Sequence, residues 1–142
     1  MSFPTRTFPY KVIYADTDAG GVVYYANYLR LFEYARALYV EAAGFTLPEL
    51  EERNCLFVCR RAEADYLLSA KLGDALDIET RVEAGGKAFL DFTYTITRIN
   101  KDGEREEIAR GYTKMVCTAL KNGRLAPQRM PAWLLEQMQS QS

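Results

Sequence analysis

The sequence predicts an α+β domain in which a curved antiparallel sheet wraps one long, nearly all-apolar helix. Three observations carry this. One stretch of about five helical turns, 25–43, contains no Gly or Pro. Strand-like segments stand once before it and four times in succession after it, with short turn signals between them. The helix also presents an apolar face too broad for light docking on a surface.

In chain order, 8–15 is β-branched and aromatic with partial alternation and reads as the first strand. Residues 16–23 carry Asp-Thr-Asp-Ala-Gly-Gly, a loop by composition. The helix then runs from Tyr25 to Ala43, and Gly44 suits a left-handed C-cap. At about 100° per residue, Arg30, Glu33, Arg36 and Glu41 fall within one arc of roughly 140°. The remaining face holds Tyr28, Leu31, Phe32, Ala35, Leu38, Tyr39 and Ala42. A short helical turn follows near 47–53. The segments 55–68, 75–82, 88–99 and 106–120 then read as strands, divided at Gly73-Asp74, Gly85-Gly86 and Lys101-Asp102-Gly103. The clean alternation of 92–97 fits a sheet with one dry and one wet face. Asn122-Gly123 is a tight turn, and Pro131 opens a last short helix with Trp133, Leu134 and Met138. With no repeat or linker, residues 1–142 are expected to form one domain.

Composition narrows the function. The 18 basic and 19 acidic residues nearly cancel, so bulk charge favours no polyanion, and the basic clusters at 60–61 and 121–129 are short; no nucleic-acid partner is expected. The N-terminus lacks an apolar leader, and no segment reaches the roughly 20 apolar residues of a membrane span, so a cytoplasmic protein without membrane insertion is expected. Three cysteines, Cys55, Cys59 and Cys117, are too few and odd in number for a disulfide framework and read as reduced, buried thiols. Cys55 and Cys59 share a strand face but have no other soft ligands, so no metal site is expected. The chain contains no histidine. Ser-His-Asp, Cys-His and His-zinc machinery are thereby excluded, which leaves acid/base or nucleophilic work to Asp, Glu, Lys, Tyr or Cys.

The stretch 14–28, Tyr-Ala-Asp-Thr-Asp-Ala-Gly-Gly-Val-Val-Tyr-Tyr-Ala-Asn-Tyr, runs into Leu-Arg-Leu-Phe-Glu-Tyr-Ala-Arg at 29–36. It resembles the signature of the hotdog-fold thioesterases of the 4-hydroxybenzoyl-CoA thioesterase and YbgC type, and the strand layout extends the likeness over most of the chain. The resemblance implies a hotdog fold, hydrolysis of an acyl-CoA thioester to free acid and CoA without a cofactor, and assembly as a homodimer or homotetramer with the site between subunits. It places the catalytic aspartate on Asp18. Many YbgC-type members carry a histidine where this chain has Tyr25, whereas the aromatic acyl-CoA branch has tyrosine, so no role resting on that histidine transfers.

The residues can serve that chemistry. Gly20 and Gly21 let backbone approach a ligand, and the first turn of the helix offers unpaired N–H groups and partial positive charge. The N–H near Tyr25 would polarise a thioester oxygen, with the amide of Tyr25 favoured over its phenol. Asp18 would attack the acyl carbon or take a proton from water; the alternative is that it only caps the loop or the helix start. Asp16 reads as a structural turn residue. Asn27 is either a helix cap or a ligand contact, Glu33 and Arg36 read as a solvated ion pair, and Lys87 is either a CoA phosphate contact or an exposed hairpin lysine. Two other functions stay open: hydrolysis of acyl groups from acyl carrier protein, and a non-catalytic acyl-binding protein. A binder has no need of a carboxylate beside an anionic ligand, which speaks against the latter.

Overall fold

Helix α1 (Asn27–Ala42) is stopped by its own sequence. Gly44 takes φ +103°; its N–H donates to Glu41 O, and the Phe45 N–H donates to Val40 O. That pair of bonds is a Schellman cap, sealed by the burial of Phe45. The computed structural model of the chain describes residues 2–140. Before α1 come β1 (Arg6–Lys11) and a single 3-10 turn, Tyr14–Asp16. After it come α2 (Leu47–Glu52), β2 (Leu56–Tyr66), β3 (Ala75–Ala84), β4 (Phe89–Ile99), β5 (Arg105–Lys121), β6 (Arg124–Pro127) and α3 (Ala132–Ser140). Thr46 caps α2 by accepting from the Glu49 N–H.

The strands form one antiparallel sheet in the order β1-β3-β4-β5-β2, with β6 folded back on the end of β5. Register shifts between Cys59 and Arg61 on β2 and between Ile96 and Thr97 on β4 add local twist, which helps the sheet curl around α1. Tyr28, Leu31, Phe32, Ala35 and Tyr39 of α1 are buried against it, and each fully buried large apolar side chain contributes about 1.5–3 kcal/mol. Phe32 meets β5 at Gly111, where an added Cβ would lie 2.1 Å from Phe32 Cζ, so the helix approaches this closely only because the strand has no side chain there. The Phe32 ring stacks on Tyr94 at 4.5 Å.

Several expectations need correction. The first strand ends at Lys11, because the Asp16 carboxylate takes the Ile13 N–H and bends the chain into the 3-10 turn. The helix starts two residues late, since 24–26 form a tighter turn with the Asn27 N–H donating to Tyr24 O. Strand β6 was not anticipated. Ala42 is exposed and not part of the dry face. Cys55 lies just ahead of β2, buried with its Sγ 3.7 Å from Cys117 Sγ, while Cys59, beside the irregularity in β2, is exposed. The two do not share a strand face. Among the described residues, no helix is long and apolar enough to cross a membrane.

Candidate active site

The loop joining β1 to α1 is built around Asp16. This carboxylate is 1 % exposed. Its Oδ2 accepts from Tyr10 Oη at 2.7 Å and from the Ile13 N–H at 2.9 Å, and its Oδ1 pairs with the Arg30 guanidinium one turn into α1. Its backbone oxygen accepts from the Tyr24 N–H and from Asn27 Nδ2, both at 2.9 Å. A buried charge is tolerated only when paired and hydrogen-bonded in this way. The consequence is a loop clamped to both β1 and α1. A second anchor ties its far side to the segment ahead of β3: the Val23 N–H donates to Ala70 O at 2.8 Å, and Val22 bridges Lys71.

Asp18 rides on this frame and faces the opposite environment, for its side chain is exposed. Its Oδ1 accepts from the Gly20 N–H at 2.8 Å, and the Gly21 N–H closes the turn onto Asp18 O at 3.0 Å. Gly21 is required here, since its φ is +80°. At Gly20 a Cβ would stand 3.2 Å from Asp18 Oδ1, close enough that the carboxylate would have to shift slightly. The two glycines therefore shape the turn around the carboxylate. Among the described residues, Asp18 Oδ2 has no protein hydrogen bond.

The turn that leads into α1 supplies donors. Among the described residues, no acceptor meets the backbone N–H of Tyr25 or of Ala26. The peptide joining these two is held in place by Tyr66 at the end of β2, whose Oη donates to Tyr25 O at 3.0 Å. Rings surround the turn: Tyr24 and Tyr25 lie 4.7 Å apart, Tyr25 and Tyr66 6.2 Å, and Tyr28 and Tyr66 5.4 Å. The Tyr24 phenol is held above its ordinary 10.0, first by its hydrogen bond with the Tyr25 phenol and by that ring's charge. Partial desolvation and the negative charge of Asp18 push it the same way. An exposed carboxylate, two free amide donors and an aromatic rim thus occupy one end of the sheet, an arrangement able to receive a carbonyl whose oxygen becomes negative.

Of the residues singled out in the sequence, Asp18, Gly20, Gly21, Tyr25 and Asn27 come together. Asn27 is neither N-cap, a position held by Ala26, nor turned outward: its side chain ties α1 to the Asp16 carbonyl. Lys87 does not join them. It sits in the β3–β4 connection, whereas the Asp18 turn adjoins the start of β3, where Ala75 pairs with Lys11. The length of β3 keeps them about 30 Å apart within one chain. Nor do Glu33 and Arg36 pair, because the Arg36 guanidinium turns inward to Tyr94 Oη at 3.2 Å. Three participants were missed: Tyr66, Tyr10 and Arg30. Arg30 carried a faint signal as a cation one turn into a helix that begins beside an Asp-rich loop, and Tyr66 carried none.

The chain is similar to known proteins over most of its length. Residues 12–138 match the model of the thioesterase-like superfamily. The acyl-CoA thioesterase YbgC of Haemophilus influenzae is 37% identical over 126 residues, covering 88% of each chain. The 1,4-dihydroxy-2-naphthoyl-CoA hydrolase of Thermosynechococcus vestitus is 31% identical over 134 residues, covering 92% of this chain and 89% of its own. Among solved structures, a 4-hydroxybenzoyl CoA thioesterase variant complexed with 4-hydroxybenzoyl CoA superposes with TM-score 0.86 over 94% of this chain and 98% of its own, at 21% identity, a likeness of fold.

Proposed function

This chain belongs to the thioesterase-like superfamily and is an acyl-CoA thioester hydrolase; we propose that Asp18 is the carboxylate that drives the reaction. The observation that supports this reading is the pair of amides, Tyr25 and Ala26, in the turn leading into α1, which have no acceptor among the described residues and stand beside a carboxylate with one free oxygen. The thioester oxygen lies against those two N–H groups, where fixed donors and the helix dipole stabilise the charge that develops. Asp18 Oδ2 either attacks the acyl carbon or takes a proton from an attacking water. On the first path the C–S bond breaks as the anhydride forms, the CoA thiolate leaves and is protonated, and water then cleaves the anhydride to regenerate the carboxylate. On the second, water adds directly and the same two products leave.

The site is completed by a second copy of the chain. Strand β2 ends the sheet with an outer edge of 11 residues that, among the described residues, no strand covers, whereas the other edge, β1, is only 6 residues long and blunted by Pro9. Two-fold pairing of β2 with β2 is antiparallel. It covers the exposed flank of α1 and encloses Asp18, giving a homodimer or a tetramer of such dimers. The three free thiols support a cytoplasmic location.

Thiol release from a panel of acyl-CoA and acyl-carrier-protein thioesters tests the reading. Asp18→Asn is expected to lower kcat by about 10²–10⁴, and sedimentation at micromolar concentration should show no monomer. Unchanged rates in Asp18→Asn would remove the aspartate from the mechanism.

A further inference from the structure

Between the β2-side flank of α1, helix α2 and the first residues of β2 lies a crevice of about 240 Å³. Leu47 and Glu51 stand exposed at its mouth, while Cys55, Leu90, Phe92 and Met138 are buried at its floor. The one guanidinium on its wall, Arg36, is drawn to the hydroxyls of Tyr94 and Thr113. What remains at the bottom is hydrocarbon and sulfur, suited to an uncharged apolar group.

Within one chain this crevice is remote from the reaction centre. It opens at the Leu56 end of β2, whereas Tyr66, at the other end, packs on the Asp18 turn; 11 strand residues separate the two by about 30 Å. Antiparallel β2 pairing exchanges these ends, so that the crevice of one copy faces the Asp18 turn of the other. Among the described residues, helix α3 contributes one side chain to the cavity, Met138, which is 1 % exposed. This helix is anchored beside α2, where Trp133 packs edge-on against Phe45 and lies under the Arg53 guanidinium.

We infer that Met138 closes the acyl pocket of the composite site and sets the length of acyl group it accepts. The inference rests on the reading of Asp18 as the reaction centre and on the pairing of two copies. A crevice with an apolar floor takes an acyl group without a distal charge, and its reach ends where the buried Met138 lies.

The test is kcat/KM for butyryl-, hexanoyl-, octanoyl-, decanoyl- and palmitoyl-CoA with the native dimer and two variants. Met138→Ala frees space for about three non-hydrogen atoms; Ala37→Leu, on the half-buried α1 wall of the same cavity, removes a similar amount. The decanoyl-to-butyryl ratio should rise about tenfold or more in the first and fall comparably in the second, the scale on which hydrophobic pockets discriminate methylenes. A ratio that stays put in both active variants overturns the inference. If Met138→Ala does not fold, Ala37→Leu decides alone. Should the native protein release thiol from no acyl-CoA, the Asp18 reading fails and this one with it, an outcome distinct from an unmoved ratio.

Discussion

Replacing Gly111 with alanine sets two effects of opposite sign against each other. Gly111 lies in the middle of β5, opposite Ala64 on β2 and Tyr94 on β4. Its backbone is not in the left-handed region, so alanine brings no strain there and would gain about 0.5–1 kcal/mol from reduced chain entropy. The added methyl, however, would stand 2.1, 2.3 and 2.7 Å from three carbons of the Phe32 ring. That ring is wholly buried and backed by Tyr94, with Phe92 stacked behind at 6.3 Å. Overpacking typically costs about 1–3 kcal/mol, and a ring with no direction of retreat belongs at the upper end. The clash wins, leaving a net loss of about 2 kcal/mol, or about 7 °C in Tm for a chain of this size. Urea and thermal unfolding of Gly111→Ala measure the loss. In a double-mutant cycle with Phe32→Leu, the paired variant should be more stable than the sum of the single changes by about 1–2 kcal/mol. Equal or greater stability of Gly111→Ala would refute the close approach of α1 to β5.

Tyr66→Phe removes the hydroxyl that holds the Tyr25–Ala26 peptide. Loss of one such bond should lower kcat by up to about tenfold with little change in KM, and an unchanged kcat would show that the peptide is held by α1 alone. The Tyr39 phenol is pushed up to about 12 by burial, with Arg6 acting in the opposite direction. Below pH 10 it is neutral in both folded and unfolded chains. Between 10 and 12 only the unfolded chain releases the proton, so stability falls across that window, by roughly 2–3 kcal/mol for this group. Urea midpoints at pH 8, 10, 11 and 12 should therefore decline more steeply in the native protein than in Tyr39→Phe, and parallel slopes would contradict the burial of that phenol.

Local physics made much of the molecule legible from sequence. The long helix was marked by uninterrupted helix formers and by Gly44, and the strands by alternation and glycine turns. The Asp18 turn was marked by a motif whose residues are neighbours along the chain. What stayed hidden depends on distant residues meeting. Tyr66 reaches Tyr25 across 41 positions. Arg30 looked like one more charge on a wet face until Asp16 was found buried beneath it. Arg36 was assigned to Glu33 by helical spacing, yet two hydroxyls on β4 and β5 claim it. Lys87 was read beside a glycine turn with nothing in the sequence to tell which end of the sheet that turn occupies.

The pairing of β1 with β3 has a bearing on how the molecule assembles. Lys11 meets Ala75 and Arg6 meets Thr80, so the first strand must wait for a chain loop of more than 60 residues to close, while β3, β4 and β5 meet through short hairpins. The Asp18 turn hangs from that late strand. It is therefore among the last parts to acquire its shape and among the first to lose it, and amide exchange at residues 6–12 should run ahead of exchange in β4 and β5.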